Sequence, residues 1–409
     1  MSPGHRCKRS LTIVVAAAMA VPIATNLLVS AAHIRYSGIV SRDSTEYWRL
    51  AENLSSGKGY SYDGERPTRM RQPAYPLFLA LVGLLPGDGM LTTRLVQTLF
   101  TSVIIGLFAT LAAREFGPKT AMLTAALVAV YAPLSLISNA ILADGLYALL
   151  LALVYAIWVR LGETGATKAA LGLGGLLGVL ALTKPAGLPL LLVMPVAVWL
   201  QTGGSRRAAL LGTLGLIAGF AVLSPWAIRN WVATGQLTVT STDTGAALWD
   251  GVHPWMYSMW SDYVEPLHRT EQFLRLAGDD YYLSAEASRR FHKAALDRIA
   301  TDPWGVTKIG LFKVAMVFTY VPGTRPLARS HPVLFGLLRI PQIAILVLAV
   351  WGAIRSPSYI WAPALSVLLV TAAGCFLGPA TARYIIPIMP LALLLTAVAV
   401  LRPAGSRLG

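Results

Sequence analysis

Charged side chains are scarce in this chain, with 13% Asp, Glu, Lys and Arg against 55% hydrophobic residues. The few that border apolar runs are therefore where chemistry is to be sought. Asp43 and Glu46 stand in the stretch SRDSTEYWRLAENLSSGKGYS (41–61), and Arg66, Arg69 and Arg71 cluster just before Pro73. Asp144 begins an otherwise apolar run, Lys184 sits between two such runs beside Pro185, and Arg229 and Arg383 lie next to Trp226 and Tyr384 at the ends of others. A carboxylate at such a boundary can accept a proton, and an acid in an apolar helix is uncommon enough to be a functional candidate. Fixed cations can hold an anionic ligand. Each has a plainer use as well: Asp43 and Asp144 as helix caps, Arg229 and Arg383 as snorkelling anchors, and the arginine cluster against anionic headgroups. Cys7 and Cys375 are far apart, no Cys/His cluster has metal-ligand spacing, and the chain has neither a Gly-rich phosphate loop nor a DxD motif placed for a nucleotide sugar. No metal or cofactor is expected.

The elements that must position these residues are apolar helices. The 409-residue chain repeats apolar runs near the ~20 residues that cross a bilayer. Candidate spans are 11–34, 94–113, 120–138, 142–161, 169–183, 185–200, 208–227, 333–354, 359–377 and 384–401, with 73–86 and 309–322 short and ambiguous. The first run is too long for a signal-peptide core and follows Arg6, Lys8 and Arg9, which predicts a retained helix. If the two ambiguous stretches do not cross, the turns holding Arg114 and Lys119, Arg160 and Lys168, Arg206 and Arg207, and Arg355 all face the cytoplasm with both termini, as the positive-inside rule requires. The expectation is an all-α polytopic membrane protein of about ten spans, the ambiguous segments being juxtamembrane or re-entrant. Residues 1–228 form an N-terminal core with a first external loop at 33–72, residues 229–308 a second external loop, and residues 309–409 the C-terminal spans. The net charge of +15 lies between apolar segments and not in one stripe, which argues against nucleic acid as a partner.

Within the first loop, Tyr47, Leu50, Ala51 and Leu54 recur at helical spacing, predicting a short amphipathic helix capped by Asp43 and Glu46 and ended by Gly57 and Gly59. The second loop carries the aromatic run WDGVHPWMYSMWSDY (249–263), whose Trp249 and His253 suit either sugar stacking or an interfacial belt. An amphipathic helical stretch follows it.

Taken together, these segments resemble a known family. Asp43-x-x-x-Tyr47, Gly57-x-Gly59-Tyr60, Arg71-x-Pro73-x-Tyr75-Pro76, Leu142-Ala143-Asp144-Gly145, Lys184-Pro185, Pro225-Trp226-x-x-Arg229-Asn230 and Arg383-Tyr384-x-x-Pro387 occur in that order. The series is similar to the GT-C glycosyltransferases, especially the protein O-mannosyltransferases and lipid A aminoarabinose transferases. Three positions depart from the pattern. Gly145 replaces a bulkier residue, Lys184 stands where many relatives have Arg, and Gln72 occupies a position at which the aminoarabinose transferases carry Lys.

The resemblance implies a GT-C-like helical bundle with its site at the outer membrane face, moving a sugar from a polyprenyl-phosphate donor to a glycan, lipid or protein acceptor with inversion. Asp43 would be the base, its pKa raised by desolvation at the membrane boundary, and Asp144 would position acceptor or sugar. Lys184, Arg229, Arg71, Arg383 and Tyr384 would hold the phosphate, and Glu46, Tyr47, Tyr75, Trp249 and His253 the substrates. The chain's character fits a bacterial inner membrane with an extracytoplasmic site. A flippase or transporter, or a non-catalytic glycan-lipid-binding subunit, would share the composition, but no internal repeat marks a transporter.

Overall fold

The computed structural model describes residues 3–31, 42–259, 266–278, 284–321 and 330–401. Among them the regular elements are all helices, with one isolated β-bridge between Ser61 and Pro67. The helices are α1 (Pro3–Ala31), α2 (Arg42–Ser55), α3 (Ala74–Val82), α4 (Gly89–Phe116), α5 (Pro118–Val130), α6 (Ala132–Ile137), α7 (Ala143–Thr164), α8 (Thr167–Thr183), α9 (Gly187–Gln201) and α10 (Arg206–Thr234). Then follow α11 (Asp243–Gly251), α12 (Pro266–Ala277), α13 (Ala285–Thr301), α14 (Pro303–Thr319), α15 (Pro332–Ile354), α16 (Ser358–Leu377) and α17 (Met389–Leu401), with 3₁₀ turns at Pro254–Met259 and Ala382–Ile388.

Within the described residues each of the ten expected segments is helical, residues 32–34 of the first lying outside them, and the protein is an integral membrane protein. Seven described helices are long and apolar enough to cross a bilayer, and α5, α8 and α9 are shorter apolar helices. The run 120–138 departs from expectation by breaking at Tyr131 (ψ 83°) into α5 and the six-residue α6. Pro133 has no amide to continue the ladder of α5 there. Of the ambiguous stretches, α3 has 9 residues, about 13 Å of helix, too short to span. The other stretch forms most of α14, which buries Lys313 completely. The Lys313 ammonium donates to Gly251 O (2.6 Å) and Gly378 O (2.7 Å), where α11 and α16 end. Two helix C-termini thus supply the partial negative charge a buried cation needs.

Packing follows burial. Helix α17 is buried almost all round, whereas α15 leaves most of its apolar face exposed, as lipid-facing helices do. Phe108 of α4 stacks on Tyr155 of α7, whose hydroxyl donates to Ile360 O. Helices α8 and α10 cross at glycines: a Cβ on Gly174 would meet Gly215 O at 1.8 Å. This small-residue contact holds together the two helices that lead to Lys184 and to the second loop. A separate apolar core of Trp249, Val252, Trp255, Phe291 and Ile309 holds the second loop together.

Candidate active site

The charged residues singled out by the sequence converge at the end of the bundle where α7 begins and α8 ends. Asp144 opens α7, 2% exposed, and Lys184, the residue that ends α8, donates to it at 2.6 Å. The Lys184 ammonium also lies over the rings of Tyr384 (5.4 Å) and Tyr147 (5.8 Å). Asp43 faces them from α2. Its Oδ2 accepts from Arg383 of the 3₁₀ turn at 2.8 Å and its Oδ1 from Arg71 at 2.7 Å. Arg71 also grips Glu46 Oε2 through Nη2 (2.5 Å) and Nε (2.9 Å) while its face covers the Tyr47 ring.

These contacts correct the expected capping box. The helix begins at Arg42, so Asp43 lies inside its first turn, and its carboxylate is taken by two guanidiniums that come from 28 and 340 residues away. They also correct its expected basicity. Burial does push the Asp43 carboxyl up, but Arg71 and Arg383 outweigh it and hold the pKa below the ordinary value. Desolvation alone was the wrong guide because the cations arrive with it.

Arg71 has a further partner that the sequence reading missed. Its Nη1 lies 3.2 Å from Asp243 Oδ2 in the first turn of α11. The segment before α11 is sewn to the first loop: Gln72 Nε2 donates to Val239 O, the Thr242 amide to Arg69 O, and Arg69 to the Gln236 side chain. Gln72 therefore serves as a loop tie and holds no phosphate-binding charge. In the sequence, TSTDTG reads only as a helix start, so no local signal marks Asp243. The assembled cluster holds four carboxylates (Asp43, Glu46, Asp144, Asp243) and three cations (Arg71, Lys184, Arg383).

Four other expected residues support the site or stand apart from it. Tyr75 is fully buried, its ring edge-on to Tyr47 (4.9 Å) and its hydroxyl on Gln97, which in turn donates to Ser138 O and Ala140 O. It is a floor beneath Tyr47. Arg229 spends its guanidinium on Thr68 O (2.7 Å) and Tyr60 O (3.0 Å) and stacks on Trp226, pinning the first loop to α10. Trp249, 2% exposed, packs among Trp255, Phe273 and Phe291 and has no free face for a sugar. His253 stacks on Trp255 at 4.1 Å with its Nδ1 on Trp249 O, and burial lowers its pKa. Such a run suits a core as well as a platform, and packing against Phe291 of α13 and Ile309 of α14 puts Trp249 and Trp255 in a core. Residues 260–263 of that run lie outside the described residues.

The opposite end of α7, about 33 Å away for its 22 residues, carries a second polar set in which Arg114 bonds Glu163 and Tyr359 donates to Glu115.

Residues 66–229 match the family model described as dolichyl-phosphate-mannose-protein mannosyltransferase. No curated protein sequence matches the chain. The Archaeoglobus fulgidus oligosaccharyltransferase in its apo form is similar in structure, with 12% identity over 94% of this chain and 50% of that chain and a TM-score of 0.54. This chain thus spans half the length of that protein. ArnT from Cupriavidus metallidurans in the apo state aligns over 92% of this chain and 76% of its own, with 17% identity and a TM-score of 0.44. The matched stretch holds Arg71, Asp144, Lys184 and Arg229, while Asp43 and Arg383 reach the cluster from outside it. The chain thus shares the helical fold of that oligosaccharyltransferase, and residues 66–229 match the dolichyl-phosphate-mannose-protein mannosyltransferase model, in keeping with the resemblance read from the ordered motifs.

Proposed function

We propose that the protein is an inverting glycosyltransferase that takes a sugar from a polyprenyl-phosphate donor and acts on the extracytoplasmic face of a bacterial inner membrane. One observation carries the reading: Lys184, Arg383 and Arg71 are all held against carboxylates at one end of a bundle of apolar helices. In the proposed step the acceptor's oxygen or nitrogen bonds to the anomeric carbon as the bond from that carbon to the phosphate oxygen breaks. The electron pair goes to the phosphate, and the acceptor's proton goes to a carboxylate. Lys184 and Arg383 would stabilise the departing charge without reorganisation, the Arg383 fork matching two phosphate oxygens. Asp144 and Asp43 keep those cations in place before the donor arrives. The archaeal neighbour AglB was solved with a dolichol-phosphate and an inhibitory peptide, and a lipid phosphate is what the proposed step releases.

The test is transfer by the purified protein from labelled polyprenyl-phosphate sugars into membrane extract, wild type beside Asp43→Asn. The expected outcome is label in a new product with wild type and weaker transfer by Asp43→Asn, in which Arg71 and Arg383 lose the carboxylate that holds them. Transfer from no donor by a folded, lipid-binding protein would overturn the reading in favour of a transporter or binding subunit.

A further inference from the structure

Four carboxylates meet at the site, and they are not equally free to act. Asp144 is closed off, 2% exposed and locked to Lys184. Glu46 presents one oxygen to two Arg71 nitrogens and is 15% exposed. Both oxygens of Asp43 are committed, one to each of two guanidiniums. Asp243 also has both oxygens engaged, but by one guanidinium and one neutral hydroxyl where Asp43 meets two guanidiniums. Its side chain is 28% exposed, the largest of the four, and its link to Arg71, at 3.2 Å, is the longest ion pair of the cluster. Its other oxygen accepts, among the described residues, the Ser241 hydroxyl at 2.5 Å. Its backbone is nonetheless held firmly, because the neighbouring Thr242 amide is bonded to Arg69 O.

We propose that Asp243 is the carboxylate that takes the acceptor's proton, and that Asp43 is the carboxylate that stays ionised to hold Arg383 and Arg71. This rests on the glycosyl-transfer reading above. Asp43 and Asp243 engage different terminal nitrogens of the same guanidinium, so one arginine sets the spacing between the phosphate-holding side and the proton-accepting side. Burial raises the Asp243 pKa above the ordinary value, opposed by Arg71 and Ser241 and reinforced by Asp43 and Glu46. The hydroxyls of Tyr47 and Tyr62 face the same group. Its place in the first turn of α11 favours the ionised form that a base needs. Two carboxylates whose surroundings push their pKa values in opposite directions are the usual basis for dividing such roles. As transfer proceeds, the acceptor's O–H or N–H bond breaks towards Asp243, the new bond to the anomeric carbon forms, and the lipid phosphate departs with its electron pair to Arg383 and Lys184.

The experiment is the pH dependence of donor kcat/KM for wild type, Asp243→Asn, Asp243→Glu and Asp43→Asn. Wild type should lose activity as pH falls through the Asp243 pKa, because the protonated acid accepts nothing. Asp243→Asn should lose about 10²-fold or more, with no acid limb in what remains and donor KM unchanged. Asp243→Glu, which keeps a carboxylate, should retain a displaced limb even if the Asn variant fails to fold. Asp43→Asn should raise donor KM and keep the limb. An unchanged limb in Asp243→Asn, a limb unmoved in Asp243→Glu, or no limb in wild type overturns the assignment while leaving glycosyl transfer standing. Absence of transfer by wild type overturns both.

Discussion

Lys184 and Asp144 pose the residue-scale question most sharply, since an ion pair this deep can serve structure or ligand. Removing one partner leaves an uncompensated buried charge, which typically costs about 3–5 kcal/mol, whereas replacing both is often close to neutral. Lys184→Met should therefore unfold well below the wild-type midpoint, and Lys184→Met with Asp144→Leu should recover most of that loss. If the pair's purpose is to keep a cation ready for phosphate, the recovered double variant should still bind a polyprenyl phosphate at least about tenfold more weakly. Thermal unfolding in detergent and a lipid-binding titration read the two effects separately. A double variant that regains both stability and affinity would reduce the pair to a fold element. Arg229 makes the opposite case: its guanidinium is spent on the carbonyls of Tyr60 and Thr68. Arg229→Ala should speed backbone hydrogen exchange across the first loop, a change that a direct phosphate ligand would not produce.

Helices set where those residues stand, and here the sequence was legible in part. The apolar runs and the i, i+3, i+4 stripe of α2 are local patterns, and apart from the run at 120–138, which breaks at Tyr131, each became helical near its expected position. What failed to show was any choice governed by distant partners. Asp43 and Glu46 fit a capping box locally, yet Arg71 and Arg383 claim Asp43, and Arg71 claims Glu46. The aromatic run around Trp249 has the composition of a belt, a platform or a core, and only packing against Phe291 settles it. The α8 and α10 crossing, likewise invisible in sequence, has a direct test. A Cβ on Gly174 would meet backbone that cannot yield, whereas one on Gly172 meets nothing within 4 Å. Gly174→Ala should cost about 1–3 kcal/mol through overpacking and displace Lys184 at the end of α8, lowering donor affinity as well. Gly172→Ala should be neutral or slightly stabilising, because alanine favours a helix interior. Equal behaviour of the two variants in thermal unfolding would mean that the glycine contact does not hold the helices together.

At the scale of the whole molecule, the ordering of charge along the bundle axis makes a prediction about orientation. The cluster around Asp43, Asp144, Lys184 and Arg383 occupies one end of α7, and Glu163, with its Arg114 and Arg160 partners, the other. About 33 Å of helix separates them, enough to cross the ~30 Å hydrocarbon core. The end rich in Arg114, Arg160, Arg206 and Arg207 should face the cytoplasm by the positive-inside rule, leaving the acid–base cluster outside. Single cysteines in a background with Cys7 and Cys375 replaced can decide this. Asp63→Cys is on the exposed first loop, and Ala166→Cys on the turn between α7 and α8 avoids Gly165, whose φ of +57° penalises a side chain. In intact cells a membrane-impermeant maleimide should label position 63 and spare position 166 until the membrane is permeabilised. Labelling of 166 alone would place the cluster inside, where the donor headgroup would have to be cytoplasmic and the proposed extracytoplasmic transfer could not occur. Labelling of both in intact cells would break α7 as a span, and with it the separation of the two charged ends.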